Sequence, residues 1–290
     1  MKITNKLGLP ETIVNALRRP QYSKGGAHMS ATELLSPPRM VQLRIKHADE
    51  IEMDAADMVW SLVGTAMHGV LEHGKGDDHI VEQRLHTEID GWTVSGAVDL
   101  QTIKEDRITI SDYKTTGVWA VMNEKKEWEQ QLNIYAWLIE RVKKSPVDAI
   151  EIVAFIRDWK RRDAEVKKDY PDAPVKVIPI ELWPYENRET FVRERIHLHA
   201  EAMFSAQTGG DLPLCSADDT WEKPTSYAVK KIGGVRANKV FYKLEDAEKY
   251  LAEVGDKYEI EVREGERTRC GSYCNVAPFC SQYNEYLRGK

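Results

Sequence analysis

The chain has 290 residues, 42% hydrophobic and 30% charged, with a formal net charge of −6. That balance fits a folded globular protein with room for one large domain or a core with appendages, and it is not the basic balance typical of a general nucleic-acid coat. No apolar run is long enough to span a bilayer, and the first residues lack the apolar block of a secretory signal, so a cytoplasmic protein with no membrane association is expected.

In chain order, residues 1–29 are polar and read as a loosely packed N-terminal arm. Ser30-Ala31-Thr32-Glu33 has the capping-box pattern of a helix start, and Pro37-Pro38 stops what begins there. Residues 56–73 space Met58, Leu62, Val63, Met67, Val70 and Leu71 at helical intervals, predicting a core helix with His68 and Glu72 one turn apart. Residues 80–88, 92–103 and 107–115 read as strands, the last two joined by the polar turn Lys104-Glu105-Asp106 into a hairpin. A long helix is predicted over 117–143, a strongly apolar strand over 149–157, a further strand over 175–182 and a helix over 184–206. These elements make a core of residues 30–210 with a mixed α/β composition. After Gly209-Gly210 the character changes, and residues 211–290 read as a separate lobe. It has a loop-like stretch over 211–226, a basic hairpin over 227–242 turning at Gly233-Gly234, and a short helix over 244–254.

The 92–115 hairpin carries the chemistry. Alternation along a strand puts Asp112 and Lys114 on one face, and pairing about a turn near residue 105 brings Asp99 opposite residues 111–112. Two carboxylates at such range repel unless one is protonated or a cation lies between them. Hard divalent ions such as Mg²⁺ or Mn²⁺ favour oxygen ligands of this kind. A second triplet, Asp158-Trp159-Lys160, has the same spacing without partner motifs and reads as solvated strand-end charge.

GTAMHGVLE (64–72), GAVD (96–99), DYKTT (112–116) and QLNIY (131–135) occur in order. In these motifs the chain resembles the RecB/AddB-type exonucleases of the PD-(D/E)XK nuclease superfamily, a group that includes iron–sulfur nucleases of CRISPR adaptation and similar bacteriophage enzymes. The resemblance covers residues 30–160. It implies a restriction-endonuclease-like α/β core: a mixed sheet flanked by helices. It also implies metal ligation by His68, Asp99, Asp112 and the Tyr113 backbone carbonyl, with Lys114 as the catalytic lysine. Gln131 and Tyr135 would order the site and hold DNA, with Glu72 either supporting it or lying on the surface. The implied activity is a Mg²⁺- or Mn²⁺-dependent exonuclease on double-strand DNA ends, favoured 5′ to 3′, that would serve recombination beside a single-strand annealing or recombination protein. A structure-specific or single-strand endonuclease, a catalytically silent DNA-binding adaptor and, more weakly, a redox protein remain as rivals.

Cys270, Cys274 and Cys280 crowd the C-terminal end, and Cys215 is the one other cysteine. In a cytosolic chain such clustering points to a metal before a disulfide. The resembling iron–sulfur nucleases join three C-terminal cysteines to one near the N-terminus in a [4Fe-4S] cluster. Here the matching N-terminal stretch reads LLSPPR (34–39), and the first C-terminal gap is three residues rather than two. Cys215 would supply the fourth thiolate, with structural Zn²⁺ or unliganded thiols as alternatives. Residues 223–243 hold six Lys/Arg and no Asp/Glu, with Tyr227, Phe241 and Tyr242. Lys230, Lys231, Arg236, Lys239 and Lys243 are candidate DNA contacts, against the plainer reading of a solvated basic hairpin. Lys160, Arg161, Arg162, Lys167 and Lys168 form a second basic cluster, diluted by Asp158, Asp163 and Glu165 and read as an ordinary exposed face.

Overall fold

The computed structural model describes residues 1–19, 23–123 and 125–289. They form two compact units: Met1–Gln42 with Ala48–Leu212, and Leu43–His47 with Pro213–Lys290.

In the first unit, β1 (Lys2–Thr4) and α1 (Glu11–Arg18) precede the short β2 (Met29–Ser30) and α2 (Ala31–Leu35). The predicted capping box is present: Ser30 Oγ accepts from Glu33 N–H, and the Glu33 carboxylate accepts from Ser30 N–H. Then come α3 (Pro38–Lys46), β3 (Glu52–Asp54) and α4 (Ala55–Glu72). The segment expected to be a loose arm is built into the fold. β1 pairs in parallel with β3, and Val14 and Leu17 of α1 pack with Ala55, Met58 and Leu62 of α4.

α4 forms where the periodicity predicts, but it is not a core helix. Ala55 is its one buried residue, while Trp60 is 52% and Val70 68% exposed. Its apolar stripe meets α1, an outer helix too short to cover it. Periodicity reports which face is apolar and not how much protein lies against it.

The main sheet contains β4 (His79–Ile89), β5 (Trp92–Lys104), β6 (Arg107–Thr116), β7 (Val147–Ile156) and β8 (Val175–Ile180). It runs β2-β5-β6-β7-β8, with β4 also paired to β5, and mixes parallel and antiparallel neighbours. Two-residue turns, Asp90-Gly91 and Glu105-Asp106, close the β4–β5 and β5–β6 hairpins. All four turn residues have positive φ, the geometry that matches the twist of antiparallel strands. β5–β6 pairing runs from Lys104↔Arg107 to Leu100↔Ser111. Continued one step, that register sets Asp99 opposite Asp112, as the hairpin argument requires. β2 takes the same edge of β5 at Val94 and Ser95, because β4 fills the other edge throughout. β5 therefore has an open stretch of edge between its two partners, and Asp99 lies at its end.

The single helix predicted over 117–143 is two: α5 (Val118–Met122) and α6 (Lys126–Lys143). Asn123 turns back to donate from Nδ2 to the Trp119 carbonyl. Residues Leu132–Ile139 of α6 are all buried, because the helix packs against the sheet and against α2 and α8 (Tyr185–Thr208). Gly96 makes the closest approach possible. A Cβ there would meet Leu138 Cδ1 at 2.6 Å and the Tyr135 ring at 3.0 Å. The small α7 (Arg161–Val166) lies between β7 and β8.

The second unit contains α9 (Ala217–Thr220) and β9 (Glu222–Lys223), followed by β10 (Ser226–Lys231) and β11 (Ala237–Phe241), the expected hairpin. α10 (Leu244–Val254) follows as predicted, then β12 (Tyr258–Arg263), β13 (Glu266–Arg267), α11 (Thr268–Ser272) and α12 (Ser281–Arg288). β12 makes the hairpin a three-stranded sheet, a strand sequence reading left out. Tyr258, Ile260 and Val262 alternate with charged residues, and that period was its signal.

Candidate active site

The end of the β5–β6 pairing gathers the expected residues. Tyr113 N–H donates to Asp99 Oδ2 at 2.8 Å, which fixes that carboxylate against β6. From α4, His68 brings Nδ1 to 3.6 Å from Asp99 Oδ1 and to 3.0 Å from Glu82 Oε1. The His68 ring also meets the Tyr113 ring edge-on, 5.9 Å between centroids. His68, Glu82 and Asp99 each offer a ligand atom within 4.8 Å of the other two.

Glu82 is the residue sequence reading missed. It was Glu72 that was considered as a partner for His68, yet Glu72 is exposed, and the imidazole is held by a carboxylate from β4. The β4–β5 register pairs Val81↔Leu100 and Gln83↔Val98, so Glu82 falls opposite Asp99. Its φ is +48°, a left-handed conformation in mid-strand for a residue with a Cβ. Such an outlier persists only where its surroundings enforce it, and these outliers concentrate at functional sites.

Asp112 is the most deeply buried member, its side chain 2% exposed. It stands outside the trio, but it is near enough to Asp99 to act on its charge. Lys114 Nζ lies 2.5 Å from Asp112 Oδ2, so the ammonium and the buried carboxylate form a close ion pair. Lys114 also donates to Gln131 Oε1 at 3.0 Å, and Gln131 Nε2 donates to the Tyr135 hydroxyl at 2.9 Å. The structure thus brings together His68, Asp99, Asp112, Lys114, Gln131 and Tyr135. The Tyr113 backbone lies in the same place.

Electrostatics follow from crowding. Burial, helped by the charge of Asp112, pushes the Asp99 carboxyl up to about 7, against the pull of His68 and Lys114. The Glu82 carboxylate, through its hydrogen bond, raises the His68 imidazole above its ordinary value. One carboxyl, that of Asp99, pushed up toward neutrality beside the buried Asp112 carboxylate, together with a nitrogen–oxygen donor set, is what a divalent cation would relieve. The residues fit one.

The second triplet has a different use. Asp158 and Lys160 are exposed, as solvated charges should be, and Asp158 also accepts from Val118 N–H at 2.7 Å, which caps α5.

In the second unit, no disulfide joins the cysteines. Burial pushes the Cys270 and Cys274 thiols up. The charges of Cys274 and Cys280 raise Cys270 further, which puts the three sulfurs within electrostatic range. Arg44, Arg267 and Arg269 oppose that rise with positive charge. Cys215 is tied in by Gln282, which accepts from its N–H at 2.9 Å and donates to its carbonyl at 2.8 Å. Tetrahedral zinc holds its sulfurs roughly 3.8 Å apart, given its Zn–S distance. Among the described residues, no three cysteines lie within 4.8 Å of one another.

The basic hairpin is less positive than its sequence. Lys230 Nζ is 2.5 Å from Glu261 Oε2 and 3.7 Å from Glu259 Oε1, both on β12. Lys239 lies 5.1 Å from the centroids of the Phe241 and Tyr250 rings. Lys231, Arg236 and Lys243 are exposed.

Fold and cluster together define an α/β protein with a candidate divalent-cation site on its central sheet. The chain belongs to the PD-(D/E)XK nuclease superfamily, whose family profile matches residues 17–281. No curated protein sequence matches it. Among solved structures, SSO0001 is similar at 16% identity over 71% of this chain and 93% of that one, with a TM-score of 0.42. A protein from Eubacterium rectale, provisionally named an exonuclease, is similar at 12% identity with a TM-score of 0.29. It matches 61% of this chain, and this chain spans 66% of its length. No helix among the described residues is long and apolar enough to cross a membrane.

Proposed function

We propose that the protein is a Mg²⁺- or Mn²⁺-dependent deoxyribonuclease that hydrolyses phosphodiester bonds from DNA ends, with 5′ to 3′ polarity, in recombination or DNA processing. The observation that carries this reading is the convergence of His68, Glu82, Asp99 and Asp112 beside a lysine held by its own hydrogen-bonded chain.

His68, Glu82 and Asp99 would hold the cation, with Asp112 Oδ2 and the Tyr113 carbonyl completing its surroundings. When bound, the cation supplies Lewis acidity toward a phosphate oxygen and makes water easier to deprotonate. Gln131, braced by Tyr135, keeps Lys114 extended beside Asp112. From there its ammonium stabilises the negative charge that grows on the phosphate and orients the attacking water. Asp99 must lose its proton before the site is loaded, and His68 must be neutral to ligate.

In the second unit, Cys215, Cys270, Cys274 and Cys280 would hold a [4Fe-4S] cluster with a structural role. The tether from Gln282 to Cys215 and the flanking arginines support this set. An absorption band near roughly 400 nm in anaerobically purified protein, lost in Cys215→Ala, tests it.

The activity is tested by comparing wild type with Lys114→Ala on end-labelled linear duplex DNA in Mg²⁺ and Mn²⁺. The variant should lose at least about a hundredfold in rate, the scale of removing one electrostatic catalytic group. Near-normal cutting by it refutes the assignment. A covalently closed circle should survive the wild-type protein; if it is opened, the activity is endonucleolytic.

A further inference from the structure

The sheet end that carries Lys114 continues into a surface no part of the site description uses. β6 ends at Thr116, paired with Ile156, and Arg157 N–H extends the ladder by donating to Thr116 O at 2.9 Å. Lys114 and Thr116 are two strand residues apart, about 7 Å. Beyond them, capped by Asp158, stands α5, and its second residue, Trp119, is 66% exposed. Lys125 Nζ covers one side of that indole, 4.8 Å from its centroid. The ring borders a cleft of about 390 Å³ that also has Met122, Lys167, Lys168, Asp169 and Tyr170 in its wall. Met122 is itself 50% exposed.

A second pair of the same composition lies on the other element that reaches the site. Trp60 of α4 has the Arg157 guanidinium 4.7 Å from its ring centroid. It is eight residues before His68 on one helix, about 12 Å along the axis. Two exposed tryptophans, each paired with a cation, therefore lie on elements that meet at the end of β6, where Arg157 bonds Thr116 and Asp158 caps α5.

We propose that Trp119 and its cleft stack an unpaired nucleotide of the substrate strand, with Lys125 and Lys168 on the adjoining phosphates and Trp60–Arg157 as a second position. The proposal rests on the nuclease reading and extends it to the form of DNA bound. The chemistry favours this occupant over an apolar protein segment. Each indole is joined to a cation, and residues Arg157–Asp169 hold six Lys/Arg against four Asp/Glu, Asp169 itself in the cleft wall. One carboxylate there, Asp158, is engaged in capping, and another, Asp163, is 3.1 Å from Lys167. Aromatic faces beside positive charge form a binding surface for single strands, because every base has a π-face and every linkage a negative charge. Two members of the basic cluster read from sequence as an ordinary exposed face, Lys167 and Lys168, lie in the wall of this cleft.

The test measures binding of a fluorescein-labelled oligothymidylate with a phosphorothioate backbone, which resists cutting, against a blunt duplex of equal length. Protein carrying Lys114→Ala is compared with Lys114→Ala/Trp119→Ala and Lys114→Ala/Trp119→Phe in Mg²⁺. Loss of a stacked base predicts about tenfold weaker single-strand binding for the alanine variant, with duplex affinity unchanged. Phenylalanine should keep affinity within about threefold of the parent. Single-strand binding within twofold of the parent after Trp119→Ala overturns the proposal, as does an equal loss on duplex. If Lys114→Ala itself cuts ordinary DNA normally, the active-site reading falls, and the stacking comparison is still decided by its own binding data.

Discussion

Glu82 faces Asp99 across neighbouring strands, and both carboxylates turn to one nitrogen of His68, at 3.0 and 3.6 Å. The strand bends to do this: Glu82 takes a left-handed φ that its neighbours in β4 do not share. A backbone conformation costing on the order of 1–3 kcal/mol is out of place for a mere surface ion pair, whose yield is smaller. It is in place if Glu82 supports a cation. Glu82→Gln should then weaken Mn²⁺ binding by at least about 10–100-fold by titration calorimetry, since losing a ligand should cost no less than losing a ligand's hydrogen-bond partner. Affinity equal to wild type would return Glu82 to the role of a surface residue.

Asp99 gives the pH dependence a definite sign. Its carboxyl titrates near 3.8 when unfolded and about 7 when folded, chiefly through burial. Between those values the native state binds the extra proton, so this group's contribution to stability falls as pH rises through that window. Asp99→Asn removes the slope. The metal-free variant should be more stable than wild type at pH 8, by a margin on the order of a few kcal/mol, and so unfold at a higher temperature, while the two converge toward pH 4. Cation affinity runs the other way. It should climb with pH and level off above about 7 in the wild type, because loading requires Asp99 to be ionised. Calorimetric melts and Mn²⁺ titrations across that range check both trends.

The hairpin was legible in sequence for a physical reason. Alternation fixes which residues share a face, and a tight turn fixes register, so Asp99, Asp112 and Lys114 could be brought together from spacing alone. Gln131 and Tyr135 came from the resemblance rather than from spacing, which by itself reads as helix surface and core; the structure hydrogen-bonds them to each other and Gln131 to Lys114. Glu82 was out of reach, because nothing in HIVEQRL marks a residue whose backbone turns left-handed. Asp90-Gly91 is the turn pair of the hairpin that sets it opposite Asp99, a signal the reading of these strands did not use. The half-buried state of α4 and the neutralisation of Lys230 by β12 both depend on what packs alongside, and local periodicity does not encode that.

The chain from Lys114 to Gln131 to Tyr135 makes a graded prediction. Gln131→Ala frees Lys114 to choose other rotamers without removing its charge, so the rate should fall by about tenfold, less than for Lys114→Ala. Tyr135→Phe takes away the brace on Gln131 and should lose less again. Single-turnover rates on end-labelled duplex in Mn²⁺ rank the three. Tyr135→Phe falling below Lys114→Ala would break the proposed order of support.

Gly96 tests how the core and the site are joined. It is in β5 three residues before Asp99, and its missing Cβ is the space that Leu138 and Tyr135 fill. Leu138 is wholly buried, so its methyl group cannot swing clear as a surface side chain would. Gly96→Ala should therefore overpack this contact, destabilising the fold by about 1–3 kcal/mol and pressing α6 away from the sheet. The displacement reaches Tyr135 first and Lys114 through Gln131, so activity should drop even at temperatures where the variant is fully folded. Urea denaturation read against the cutting rate separates the two effects. A variant as stable and as active as wild type would mean that α6 moves without disturbing the lysine it holds.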